Sequence, residues 1–272
     1  MNSSFNGSLV LSLCWWFVAA APLACGGEPM LVGHRGLLRH APENTMPAFA
    51  ACAELGIGFE LDLYSSRDDQ LVIIHNGTLK ATTNGPNRPV REFTVAEIKQ
   101  FDAGSWFHPS FRGVPIPTFD EVLAMVAARK RGPTLIALNV KQVTPAGERQ
   151  LVSLVEKYGL LGESFAFDQD ATCSRRLKSY NAAFQIGQNV SRKDLVGRLA
   201  KDDLDIFLLT WLPTAEELTL LHGKKKLALY NFSGPGPAQR DPATWLRIKE
   251  SGVDGLLTDF PLECRLHWRS QN

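Results

Sequence analysis

Three short apolar runs end in or carry residues able to move protons and hold anions. His34 closes the run MLVGH and is followed by Arg35 and Gly36. An imidazole with an unperturbed pKa of about 6.5 moves a proton at neutral pH, and a guanidinium offers a planar fork of donors to phosphate oxygens. Glu60 and Asp62 alternate with Phe59, Leu61 and Leu63, so in a strand both carboxylates share one face. Two such charges repel. A bound cation relieves the repulsion, and oxygen donors select a hard one, Mg2+ or Ca2+. The same pair is also compatible with a solvent-facing strand salt-bridged to Lys or Arg. His75 ends the run LVIIH and adds a second imidazole, so that one ring can activate a nucleophile while the other protonates a leaving alkoxide.

Elements that can bring these residues together follow from the hydrophobic pattern. After Met30 the chain alternates short apolar runs with longer amphipathic segments, the pattern of a parallel sheet with crossover helices. Eight strands are expected, over residues 30–34, 59–63, 135–140, 165–167, 183–186, 205–210, 226–230 and 255–258. Helices are expected over 45–55, 147–158, 171–180, 215–222 and 242–251 among others, with Asn44 or Thr45 capping the first and Gly252 turning after the last. Eight such units close as a (β/α)8 barrel, whose active site lies at the carboxyl ends of the strands. The run 71–75 lies too close to 59–63 for a parallel crossover. It is expected as an antiparallel return strand turning at Asp68 and Asp69, followed by an insertion to about Pro117. The insertion's segment GSWFHPSFRGVPIP reads as an ordered cap over the barrel mouth.

The 272 residues match one barrel of roughly 250 residues, and 44% hydrophobic with 21% charged residues supports a sizeable core. A net charge of +1 provides no field that draws in nucleic acid or an anionic membrane, so an anionic substrate must be held locally. Residues 9–24 are apolar and uncharged, the length of a signal-peptide core and shorter than a spanning helix. Residues 1–26 are therefore expected to be a leader directing export, with the barrel domain over 27–272. Membrane contact is expected where the leader is retained or Cys25 is lipidated. Cys52, Cys173 and Cys264 follow the leader, an odd number without metal-like spacing.

GHRG from Gly33, PENT from Pro42, the pair Glu60 and Asp62, and His75 together resemble the glycerophosphodiester phosphodiesterase family. The resemblance continues through DAGSWF from Asp102, IPTFDEVL from Ile116 and GVDGLLTDFP from Gly252. It implies a small-molecule glycerophosphodiester substrate and one divalent cation, with Glu60 and Asp62 as ligands. It further implies His34 and His75 as the acid/base pair and Arg35 as a phosphate contact. Lys141 matches the basic residue of the family's third-strand Glu-x-Lys motif. Asn139 stands where that motif has a metal-binding Glu and retains an amide oxygen as ligand. Alternation with Leu138 and Val140 is expected to turn Asn139 to the mouth. Asn76 replaces the Asp that commonly follows the second His. Tyr230 stands where the family usually has Trp, a substrate contact, with Ser233 in place of Asn. Hydrolysis to glycerol 3-phosphate and an alcohol is the leading reading. A lysophospholipid-type diesterase and a catalytically impaired phosphodiester-binding protein are the alternatives.

Overall fold

The computed structural model describes residues 28–271; the leader expected at 1–26, Cys25 included, lies outside the described residues. Among the described residues no helix is long and apolar enough to cross a membrane.

The elements run β1 (Met30–Gly33), α1 (Met46–Leu55), β2 (Gly58–Ser65), β3 (Leu71–Ile73), α2 (Val95–Ile98), α3 (Phe119–Arg129), β4 (Ile136–Gln142), α4 (Pro145–Lys157) and β5 (Ser164–Phe167). They continue through α5 (Thr172–Tyr180), β6 (Gln185–Val190), α6 (Leu195–Lys201), β7 (Ile206–Leu209), α7 (Ala215–Gly223), β8 (Leu227–Phe232), α8 (Pro242–Glu250), β9 (Gly255–Thr258) and α9 (Pro261–Ser270). All strands but β3 are parallel, and β1 pairs with both β2 and β9, which closes an eight-stranded barrel. The expected (β/α)8 architecture is therefore present. β3 runs antiparallel to β2 with Leu63 opposite Ile73 and Ser65 opposite Leu71, the extra hairpin strand that the short spacing requires. Its turn places Asp69 at φ 56°.

Strand alternation divides the core in two. Val32, Leu135, Ala137, Phe165, Phe167, Ile206, Leu208, Leu229 and Leu257 pack inside the barrel. The alternate residues of the strands, among them Phe59, Leu61, Leu138 and Tyr230, pack outward with the helices. Phe49 of α1 meets Phe59 of β2 at a ring separation of 4.7 Å, and both rings are fully buried. Burial of such a side chain contributes about 1.5–3 kcal/mol. The insertion has a small core of its own, where Leu79, Val90, Ile98, Ala103 and Ile116 pack with Val72 and Ile74 and against Tyr64 near the end of β2. Asp102 organises its tip by accepting from the backbone N–H of Gly104, Ser105 and Gly113 and from the Ser105 hydroxyl.

Two expectations from the hydrophobic pattern change. The strand expected at 183–186 is Gln185–Val190 instead: Gly187 to Val190 pair with β7, and the polar Gln188 and Asn189 at its end interrupt the apolar run that marks a strand. At the start of α1 neither expected side chain caps the helix. Thr45 makes no cap hydrogen bond and donates its hydroxyl to Pro42 O at 2.6 Å, while Asn44 turns to Asp62. Gly252 follows α8 at φ 81° as expected.

Candidate active site

β1 delivers His34 and Arg35 to the carboxyl end of the barrel through a tight turn. Gly36 has φ 84°, and a Cβ there would stand 2.8 Å from that of Ala48, so the turn packs directly against α1. Arg35 is held at φ 53°, a left-handed conformation that costs a non-glycine residue about 1–2 kcal/mol. That conformation aims its backbone N–H at Glu60 Oε2, 3.1 Å away. Nη1 of the same residue donates to both oxygens of Glu43, at 3.0 and 3.1 Å. Its Nε is buried without a hydrogen-bond partner, 3.8 Å from Asp62 Oδ2, leaving a donor for an incoming oxyanion.

Glu60 and Asp62 project inward from β2, and both are buried. Three neutral or cationic donors gather round them. Asn139 Nδ2 donates to Glu60 Oε1 at 3.0 Å and to Asp62 Oδ1 at 3.1 Å. Lys141 Nζ stands 3.2 Å from Asp62 Oδ1. Asn44, at φ 55°, donates to Asp62 Oδ2 at 2.8 Å and accepts from the Asp62 backbone N–H at 3.3 Å. Burial, followed by the field of Asp62, still pushes the Glu60 carboxyl up to about 7. Burial beside a second carboxylate thus disfavours the ionised form of Glu60.

A carboxylate accepts hydrogen bonds and donates none, so the 2.7 Å contact between His34 Nδ1 and Asp259 Oδ1 requires the proton on Nδ1 and leaves Nε2 for chemistry. Burial disfavours the charged ring, but the Asp259 hydrogen bond and the field of Glu60 outweigh it and raise the His34 pKa. His75 moves the other way: burial lowers its pKa, and the fields of Arg35 and Lys141 add to that against the pull of Asp62. The backbone next to His75 is fixed to β2, because Ile74 N–H donates to Asp62 O at 3.1 Å and the Tyr64 hydroxyl donates to His75 O at 3.4 Å. His75 Nδ1 contacts Asn76 Oδ1 at 3.3 Å.

The structure thus groups His34, Arg35, Glu60, Asp62, Asn139 and Lys141, with His75 beside Asp62. Tyr230 does not join them. Leu229 faces the barrel interior, so Tyr230 faces outward among the helices, buried in the outer core and stacked on Phe232 at 5.3 Å. The expected substrate contact of Tyr230 does not fit this outward position; the β8 residue that faces the mouth is its neighbour Asn231, whose Nδ2 donates to Asn189 Oδ1 at 3.0 Å and whose Oδ1 accepts from the Ser233 hydroxyl at 2.8 Å. Glu43, Asn44 and Asp259 are the site residues to which sequence reasoning assigned no part in the site. Each lies in a motif already singled out, and for Asp259 the available signal was a lone acid directly after an apolar strand end.

Two carboxylates suit a hard cation that keeps waters and substrate oxygens in its shell, the habit of Mg2+. Among the described residues no group of three or more His, Cys, Asp or Glu side chains could hold a metal ion. A third protein oxygen would come from Asn139 with its amide turned over, since amide N and O exchange places by a half rotation. Two adjacent buried carboxylates are a donor set that suits such a cation.

Paired buried carboxylates, two imidazoles held in opposite protonation preference and two cations at the carboxyl end of a (β/α)8 barrel define a hydrolase of phosphoric esters. Residues 34–263 match the Glycerophosphoryl diester phosphodiesterase family. A glycerophosphodiester phosphodiesterase of Caldanaerobacter subterraneus is 30% identical over 243 residues, covering 86% of this chain and 95% of its own. Among solved structures, a glycerophosphodiester phosphodiesterase of Agrobacterium tumefaciens is 26% identical with a TM-score of 0.73, covering 86% of this chain and 97% of its own. An Oleispira antarctica phosphodiesterase in complex with the product sn-glycerol-3-phosphate shares the fold at 21% identity and a TM-score of 0.71, over 89% and 97% of the two chains. The chain belongs to the glycerophosphoryl diester phosphodiesterase family and is a phosphoric diester hydrolase.

Proposed function

We propose that this chain is an exported, metal-dependent enzyme that hydrolyses glycerophosphodiesters to glycerol 3-phosphate and an alcohol. The observation that carries the reading is the His34–Asp259 pair beside the buried Glu60 and Asp62 carboxylates. Glu60, Asp62 and the Asn139 amide would hold one divalent cation, Mg2+ or Ca2+. When bound it would supply charge stabilisation to the phosphoryl oxygens.

This chain's own residues account for the remaining work. The free Nε of Arg35 and the ammonium of Lys141 hold the phosphate against the mouth. His34, its ring oriented by Asp259 and its pKa raised, keeps a proton to give to the departing alkoxide. His75, its pKa lowered, is neutral at pH 7 and takes the proton of the attacking group. Environments that push two titratable groups apart assign acid and base. Export rests on the uncharged apolar segment at residues 9–24.

The test is a metal-titrated assay on several glycerophosphodiesters with glycerol 3-phosphate release as the readout. Tight binding of a diester without turnover at any metal concentration would replace this reading with that of a phosphodiester-binding protein. One observation favours a lipid substrate instead: Trp106 is 46% exposed and packs edge-to-face with Phe107, which packs likewise on Phe111. Faster release from a lysophospholipid than from any water-soluble diester would support it.

A further inference from the structure

The amino end of the barrel, opposite the mouth, gathers cations that the chemistry does not use. The barrel strands all run the same way, so the chain enters β4 from 130–135, β7 from 202–205 and β8 from 224–226 at this one end. Two basic runs lie there, Arg129 to Arg131 and Lys224 to Lys226. Arg265 of α9 reaches the same end, where its guanidinium donates to the carbonyls of Leu55 and Gly56 just before β2. With Arg269 it lines a cleft of about 280 Å3 beside Pro29 and Met30, where the chain enters β1. Four carboxylates of this end are already paired, Glu54 with Arg131, Glu163 with Lys130, Asp202 with Lys226 and Asp205 with Lys178. Arg129, Lys201, Lys224, Lys225 and Arg269 are exposed, and among the described residues none of them forms an ion pair. One base in the last turn of a helix answers the helix dipole, but Lys224 and Lys225 lie beyond the end of α7. The net charge of +1 therefore conceals a cationic end.

We infer that the amino end of the barrel docks on an anionic bilayer surface, with the mouth turned away into the aqueous phase. Each Lys or Arg held near such a surface adds an attraction that fades within a Debye length. The exposed cations stand at the ends of α3, α6, α7 and α9, so they spread round the barrel rim and can meet a plane together. Leu55, 44% exposed and beside Arg265, adds an apolar contact. The apolar, uncharged segment 9–24 stops six positions before Met30, a reach of about 20 Å, so a bilayer that held this segment would meet the amino end first. Docking by this end leaves the mouth, at the other end of the strands, open to water-soluble diesters and out of reach of lipids in the same surface. That consequence rests on the phosphodiesterase reading; the docking itself does not.

The experiment is flotation of the full chain with vesicles of phosphatidylcholine alone and of equimolar phosphatidylcholine and phosphatidylglycerol. At low salt, partition to the anionic vesicles is expected to be at least ~30-fold stronger, on the scale of several surface cations, and the preference should shrink as salt rises. Combining Lys201→Gln, Lys225→Gln and Arg269→Gln should cut that preference at least ~10-fold and leave turnover in solution unchanged, which also reports that the variant is folded. Trp106→Ala, on the insertion over the mouth, should leave vesicle binding unchanged. Enzyme bound to anionic vesicles should keep its turnover of a water-soluble glycerophosphodiester. Equal partition to the two vesicles, a preference that the triple variant retains, binding lost in Trp106→Ala, or turnover lost on the anionic vesicles would each overturn the inference. Absence of turnover in solution as well would overturn the phosphodiesterase reading, while the flotation result still decides the docking.

Discussion

On one side of the barrel mouth, the contiguous strands β9, β1, β2 and β4 carry Asp259, His34, Glu60, Asp62, Asn139 and Lys141 at or just beyond their ends. On the other, β6 and β8 carry Asn189 and Asn231, joined by a single amide hydrogen bond at 3.0 Å. The same inward alternation builds both walls above one apolar interior, so backbone geometry does not separate them. The carboxylates at the centre of the charged wall, Glu60 and Asp62, are buried, and the charges around them have partners that hold their orientation, as Glu43 holds Arg35 and Asp259 holds His34. The amide wall carries no formal charge and is more open. Low dielectric amplifies the first wall's fields where bond breaking needs them. The second is suited to reading hydroxyl groups at modest cost.

If this division of labour is right, substitutions on the charged wall should affect turnover far more than those on the amide wall. The largest effect is expected from the imidazoles. His34→Ala and His75→Ala should each lower kcat at least ~100-fold, and near-normal kcat in either folded variant would remove that ring from the mechanism.

Next comes the cation site. Glu60→Gln or Asp62→Asn should weaken divalent binding measured by calorimetry. Asn139→Glu should strengthen it by adding charge to the shell. The same Asn139→Glu variant loses the two amide hydrogen bonds to the carboxylates and brings a third negative charge to them. Its melting temperature in chelator should therefore fall below that of the parent and recover on adding cation. Unchanged affinity in Asn139→Glu would place residue 139 outside the shell.

Asp259→Asn probes positioning rather than charge at the reacting atoms. The general acid must be protonated, so rate falls as pH rises through its pKa. Asp259 contributes to raising the His34 pKa, and removing its charge should move the alkaline limb of the pH–rate profile to lower pH, with kcat reduced ~10-fold. A profile that keeps its alkaline limb in place would show that Asp259 has no hold on the acid.

The smallest effect belongs to the amide wall. Asn231→Ala should raise KM about 3- to 10-fold for a glycerophosphodiester, the scale of one or two hydrogen bonds. KM for bis(4-nitrophenyl) phosphate, which has no hydroxyls, should change less. A kcat loss as large as that of the histidine variants would erase the distinction between the walls.

The sequence alone determined the barrel, because eight apolar runs separated by amphipathic segments have few other ways to bury themselves. It also determined the return strand, since residues 64–70 are too few for a parallel crossover. The strand-end residues His34, Glu60, Asp62 and His75 were legible from local alternation and position, for the same reason that the barrel was. Tertiary structure decided what these residues touch. Asp259 reaches His34 across 225 positions of sequence, a meeting that exists because barrel closure sets β9 beside β1. Glu43 and Asn44 read as the approach to a helix, and became supports of Arg35 and Asp62 once the left-handed turns at Arg35 and Asn44 folded that loop onto β2. Whether Tyr230 or Asn231 faces the mouth depended on the register of β8. A shift of one residue exchanges the two faces of a strand, and no local pattern in the run Leu-Ala-Leu-Tyr-Asn-Phe marks which face is inward, because both faces of a barrel strand are buried.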